Sequence, residues 1–152
     1  MFPHMSIDPK RRTANIPVEP YIYKWLLHYR KFPQPEIWIT ADFAFDRKVS
    51  PKSVENHFSK KGMNNIKAYM RCPNKFKAYY LYIYINALFD HDMMAFAVAN
   101  SKLDMAVMPA IEQFLRKCRI TEQELKLESA YKRWQRSTTI KLPGIKPYTN
   151  EI

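Results

Sequence analysis

Asp46-Arg47-Lys48 carries the acid-x-lysine spacing of a metal-dependent nuclease. At a strand end, such a carboxylate can hold Mg²⁺ while the lysine polarises the attacking water. The rest of that site is not visible. Asp42 lies too close to serve as the upstream acid, and Asp8 and Glu19 fall on no evident strand. The four histidines, His4, His28, His57 and His91, have no His or Cys at ligand spacing. Cys72 and Cys118 form no CxxC pair, so they read as free, buried thiols in a reducing compartment rather than zinc ligands or a disulfide. Asp90-His91-Asp92 reads as a helix start, with either aspartate capping the Met93–Ala99 run. Glycine occurs only at Gly62 and Gly144, which excludes glycine-rich phosphate loops and the nucleophile elbow. No Ser or Cys has a recognisable nucleophile context. The expectation is a non-enzymatic protein with no cofactor and no metal, the nuclease being a minority reading.

Charge is the stronger signal. The 152 residues hold 25 Lys and Arg against 14 Asp and Glu, a net charge of +11. Residues 47–77 contribute Arg47, Lys48, Lys52, Lys60, Lys61, Lys67, Arg71, Lys75 and Lys77 against Glu55 alone, or +8 in 31 residues. His57, Phe58, Tyr69 and Phe76 are interleaved with them. Cations for phosphates and rings for bases are what a nucleic-acid strand requires. The expected partner is therefore nucleic acid, contacted through 47–77. Lys132, Arg133 and Arg136 would extend that surface from the last helix. The alternative is an interaction or structural component, such as a virion or inhibitor protein, whose basic face meets an acidic protein.

These groups need elements to position them. Residues 1–16, with Lys10, Arg11 and Arg12, read as a flexible basic arm. Ile22, Leu26 and Tyr29 predict a helix over 19–31, ended by Pro33 and Pro35. Alternation from Glu36 to Asp46 predicts a strand with Phe43 and Phe45 facing the core. Ser50-Pro51 starts a helix over 51–61, and Gly62 falls where a left-handed C-cap belongs. Residues 65–71 and 76–85 read as a hairpin turned at Cys72–Lys75. The competing reading of the dense Tyr/Ile run is a helix from Asn74 through Ala99.

Helices follow over 87–99, 101–119 and 121–136. Pro109 kinks the second or marks its start, and Thr121 with Glu124 forms a capping box on the third. The last two helices invite a helix-turn-helix reading. Glu122, Glu124 and Glu128 crowd the end that would enter a groove and argue against it. The sum is an α+β protein: a small mixed or antiparallel sheet in the N-terminal half and a helical C-terminal half. It is laid out as an arm (1–16), a single domain (17–136) and an extended tail (137–152). No run approaches the ~20 apolar residues of a membrane span, which predicts a soluble, cytoplasmic protein with no membrane partner. The low-Gly, Tyr- and Lys-rich composition resembles that of phage and mobile-element proteins.

Overall fold

Ala14, Ile16 and Val18 are buried and alternate with Thr13 and Asn15. That period of two makes Thr13–Val18 a strand, β2, and Ser6–Asp8, β1, pairs with it as an antiparallel hairpin. This computed structural model describes residues 2–38, 49–101 and 106–137, the side chains of Ser101 and Ser137 excepted. The arm expected over 1–16 is corrected: its backbone is engaged in a sheet because its apolar residues have a core to face.

Helix α1 (Pro20–His28) opens with Pro20 in its first turn and buries Tyr21, Ile22, Trp25 and Leu26. Strand β3 covers Glu36–Trp38. The rest of the expected 36–46 strand, with Phe43 and Phe45, lies outside the described residues. Helix α2 (Pro51–Phe58) begins as its sequence dictates: the Ser50 hydroxyl accepts the Ser53 N–H at 3.2 Å. It ends at Ser59, short of Gly62, whose left-handed φ of +74° belongs to the turn entering strand β4 (Asn64–Tyr69).

The four strands form one mixed sheet in the order β1-β2-β4-β3, antiparallel except where β3 runs parallel to β4. Ile66 and Ala68 of β4 share the buried face with Ala14, Ile16 and Val18. Helix α1 packs on β4 and α2 on β2, covering that face with Ile22, Trp25, Val54 and Phe58.

The strand expected over 76–85 is corrected, because helix α3 spans Lys75–Ser101. Asn74 starts it: its side-chain oxygen accepts the Lys77 N–H at 2.9 Å and its carbonyl the Ala78 N–H at 3.0 Å. The buried residues Ala78, Leu81, Ile85, Phe89, Met93 and Ala97 recur at three- and four-residue steps. That stripe is helical, and the tyrosines that suggested a strand are half-buried beside it.

Helix α4 (Val107–Lys117) carries Pro109 in its first turn, where a missing N–H costs nothing, so Pro109 marks the start. Ile111, Phe114, Leu115 and Cys118 are buried as a stripe. Helix α5 (Leu127–Ser137) begins six residues after Thr121. The Glu124 carboxylate does accept the Thr121 N–H at 2.8 Å, but this reciprocal bond closes a turn. Residues from Thr138 onward, the expected tail, lie outside the described residues.

The chain is α+β, and it divides into two compact units, Met1–Ile85 and Asn86–Ile152, where the sequence reading has one domain over 17–136. Among the described residues, no helix is long and apolar enough to cross a membrane.

Candidate nucleic-acid interface

Registration of the strands builds two rows of side chains on the sheet face opposite α1 and α2. Residues directly opposite one another point to the same side of a sheet. One row runs Ser6, Asn15, Lys67, Glu36; the next runs Asp8, Thr13, Tyr69, Trp38. Trp38 is 70% exposed. Its ring lies 5.2 Å from that of Tyr69, centroid to centroid, tilted by 32°. Lys67 Nζ stands 5.5 Å from the Tyr69 ring centroid, and the Tyr69 hydroxyl donates to Glu36 Oε2 at 3.3 Å. A shallow pocket of about 260 Å³ adjoins the aromatic pair, lined by Ser6, Asp8, Arg11, Thr13, Asn15 and Lys67 among others.

The hairpin turn between β1 and β2 carries Lys10, Arg11 and Arg12, all exposed. It joins Asp8 to Thr13, so it sits at the end of the sheet where the Tyr69–Trp38 row lies. Asp8 shapes this turn by accepting the N–H groups of Lys10 and Arg11 at 3.0 and 3.1 Å. Arg12 takes a left-handed φ of +54° and accepts the Met70 N–H at 2.8 Å, which brings Arg71 to the same end.

The remaining cations of 47–77 are distributed over several elements. Lys52 lies on α2, Lys60 and Lys61 in the turn after it, and all three are exposed, as is Arg71. Lys75 and Lys77 open α3 and are half-buried; Lys75 Nζ lies 5.4 and 5.3 Å from the Phe2 and Phe76 rings. Arg47 and Lys48, with the Asp46-Arg47-Lys48 nuclease motif, lie outside the described residues. Among the described residues, no carboxylate is ion-paired with Lys52, Lys60, Lys61, Lys67 or Arg71.

Two of the interleaved rings turn inward. Phe58 is fully buried, and His57 is 3% exposed, its Nε2 2.8 Å from the Pro17 carbonyl oxygen. A strand residue's N–H and C=O point to the same edge. The edge of Pro17 therefore faces away from β4, on the side that β1 has already vacated, where proline's missing N–H interrupts no ladder. His57 stacks on Tyr82 at 3.8 Å between ring centroids, and the Tyr82 hydroxyl donates to Glu19. Burial lowers the His57 pKa, outweighing the Pro17 hydrogen bond and the Glu19 charge that raise it. His57 is thus a neutral core residue.

In the C-terminal unit, Lys132 is exposed and pairs with Glu128 at 3.1 Å, and Arg136 is exposed. Arg133, expected to point outward, is corrected. Its Nε donates to Asp90 Oδ1 at 2.8 Å, its Nη2 to Asn86 Oδ1 at 3.3 Å, and its guanidinium lies 5.2 Å from the Phe89 ring. Asp90 and Asp92 both sit inside α3 and neither caps a helix, which corrects that reading too.

The two cysteines are unbridged; Cys72 is exposed, against expectation, and burial pushes the Cys118 thiol up to about 12. No group of three or more His, Cys, Asp or Glu side chains among the described residues could hold a metal ion. The sequence marks Tyr69 among the basic residues but not its pairing with Trp38, which falls within the alternating 36–46 run. The signal lay in Tyr69 and Trp38 ending two short strands. No protein-family model matches the chain, and neither a curated protein nor a solved structure matches it.

Proposed function

We propose that the N-terminal unit is a nucleic-acid-binding module that grips the phosphate backbone. The observation that carries this reading is the set of exposed cations, Lys52, Lys60, Lys61, Lys67 and Arg71, that have no carboxylate partner among the described residues. Like charges concentrated on one unit repel each other, and a polyanion relieves that repulsion while releasing its own counterions. The protein's net charge of +11 favours the same partner.

The test is a salt series of binding to polynucleotide, measured by fluorescence anisotropy. The logarithm of the affinity should fall linearly with the logarithm of salt concentration. Replacing Lys60, Lys61, Lys67 and Arg71 together by Gln should weaken binding at least about tenfold and make the slope shallower, with an unchanged circular-dichroism spectrum. Absence of binding to DNA and RNA at low salt would overturn the proposal and leave the acidic-protein reading.

A further inference from the structure

We propose that the open face of the sheet is a stacking platform for an unpaired polynucleotide, with bases laid on Trp38 and Tyr69 and phosphates following the basic hairpin turn. This rests on the nucleic-acid reading above and names the form of the partner.

Three observations converge on one end of the sheet. The first is the aromatic pair, on neighbouring strands and held as a unit. Glu36 fixes the Tyr69 ring through its hydroxyl, and Trp38 leans on that ring at 5.2 Å while remaining 70% exposed. Among the described residues no helix covers this face, and the flat surface of the exposed indole suits a nucleobase.

The second is charge. Lys67 borders the pair, and Lys10, Arg11, Arg12 and Arg71 crowd the end of the sheet where the pair lies. Of the acids in these rows, Asp8 is tied into the turn and has a cation beside it, Arg11 at 3.8 Å, whereas Glu36 has a neutral hydroxyl, that of Tyr69, as its donor and keeps its charge.

The third is the polar lining of the neighbouring pocket, where Asn15 donates to Ser6 Oγ at 2.8 Å and Thr13 stands between Asp8 and Tyr69. These groups can meet sugar and base edges. Together the rings and cations select single strands over duplex. Stacking needs a free base face, which a duplex hides inside its own stack, whereas the phosphates are available in both.

The experiment compares an oligothymidylate and an oligouridylate of about 20 nucleotides with a duplex of equal length, using the full chain and its Trp38→Ala, Trp38→Phe and Lys67→Gln variants. The intact protein should bind at least one single strand more tightly than the duplex. Trp38→Ala should weaken that single-strand binding about fivefold or more while leaving duplex affinity and the salt slope unchanged. Trp38→Phe should recover most of the loss. Lys67→Gln should instead make the salt slope shallower by about 0.7. Because Trp38 is exposed, its variants should keep the parent circular-dichroism spectrum.

Duplex binding equal to or tighter than single-strand binding, or single-strand affinity untouched by Trp38→Ala, would overturn this inference and leave the phosphate-binding reading standing. Failure of the intact protein to bind any of the three probes would overturn both.

Discussion

Arg133 and Asp90 meet at 2.8 Å with their side chains only 16% and 26% exposed, so a cation expected on the surface is an internal strut of the C-terminal unit. Burial raises the Asp90 pKa, and the Arg133 charge and hydrogen bond only partly oppose it. The pair is asymmetric in consequence. Arg133→Ala strands a shielded carboxylate without its cation, and a loss on the order of 2–4 kcal/mol in urea-unfolding free energy is expected, somewhat below that for a fully buried pair. Asp90→Asn should cost clearly less, since asparagine needs no counter-ion and keeps an acceptor for Arg133. Equal losses for the two variants would show that burial of the carboxylate is not what matters.

His57 makes stability depend on pH. Its folded pKa is lowered below the ordinary 6.5, so the unfolded chain binds the proton first as pH falls. The contribution of the neutral ring is complete above about pH 6.5 and is lost as pH drops through the folded value. The urea midpoint should therefore decline on going from neutral to mildly acidic buffer. His57→Gln retains an N–H to donate to the Pro17 carbonyl and should flatten that decline, whatever it does to stability at neutral pH. A decline of the same size in the variant would assign the effect to another group.

Gly62 offers a clean measure of backbone strain. Its φ is +74°, and a Cβ added there would meet nothing within 4 Å. Gly62→Ala should cost about 1 kcal/mol through the left-handed conformation alone, and Gly62→Asn less. Thermal unfolding of the two variants side by side checks the ordering.

Nucleic-acid affinity should discriminate among the three cations of α5. Lys132→Gln and Arg136→Gln should each lower affinity modestly and about equally for unrelated sequences, with a salt slope shallower by at most about 1. Arg133→Lys, which leaves a cation beside Asp90, should change binding less than either. A loss confined to one sequence would reinstate base reading by this helix.

How far the fold was legible depended on the density of the signal. Ser50-Pro51 and the Ile22/Leu26 spacing located α2 and α1 because caps and sparse apolar stripes admit one period. The run from Phe76 to Ile85 did not, since a tyrosine fits either a strand or the flank of a helix. Only the continuation of the stripe through Phe89 and Met93 decides it. β1 and β2 were missed because Thr13–Val18 is short and contains a proline, tolerated at Pro17 only by virtue of the register with β1 and β4. The candidate interface was half legible. A charge run can be counted in sequence, but whether a ring beside it turns inward, as His57 and Phe58 do, or outward, as Trp38 does, is set by pairings between distant segments.

The strand order β1-β2-β4-β3 carries a consequence for synthesis. β2 can zip with β1 as soon as both leave the ribosome, but its other edge belongs to β4, which begins 46 residues after Val18. At translation rates of roughly 5–20 residues per second, that edge waits unpaired for several seconds. During that interval its open N–H and C=O groups can recruit a neighbouring nascent chain. The yield of folded protein should therefore respond to the speed of elongation through residues 19–63, and slow codons there should favour aggregation over completion of the sheet.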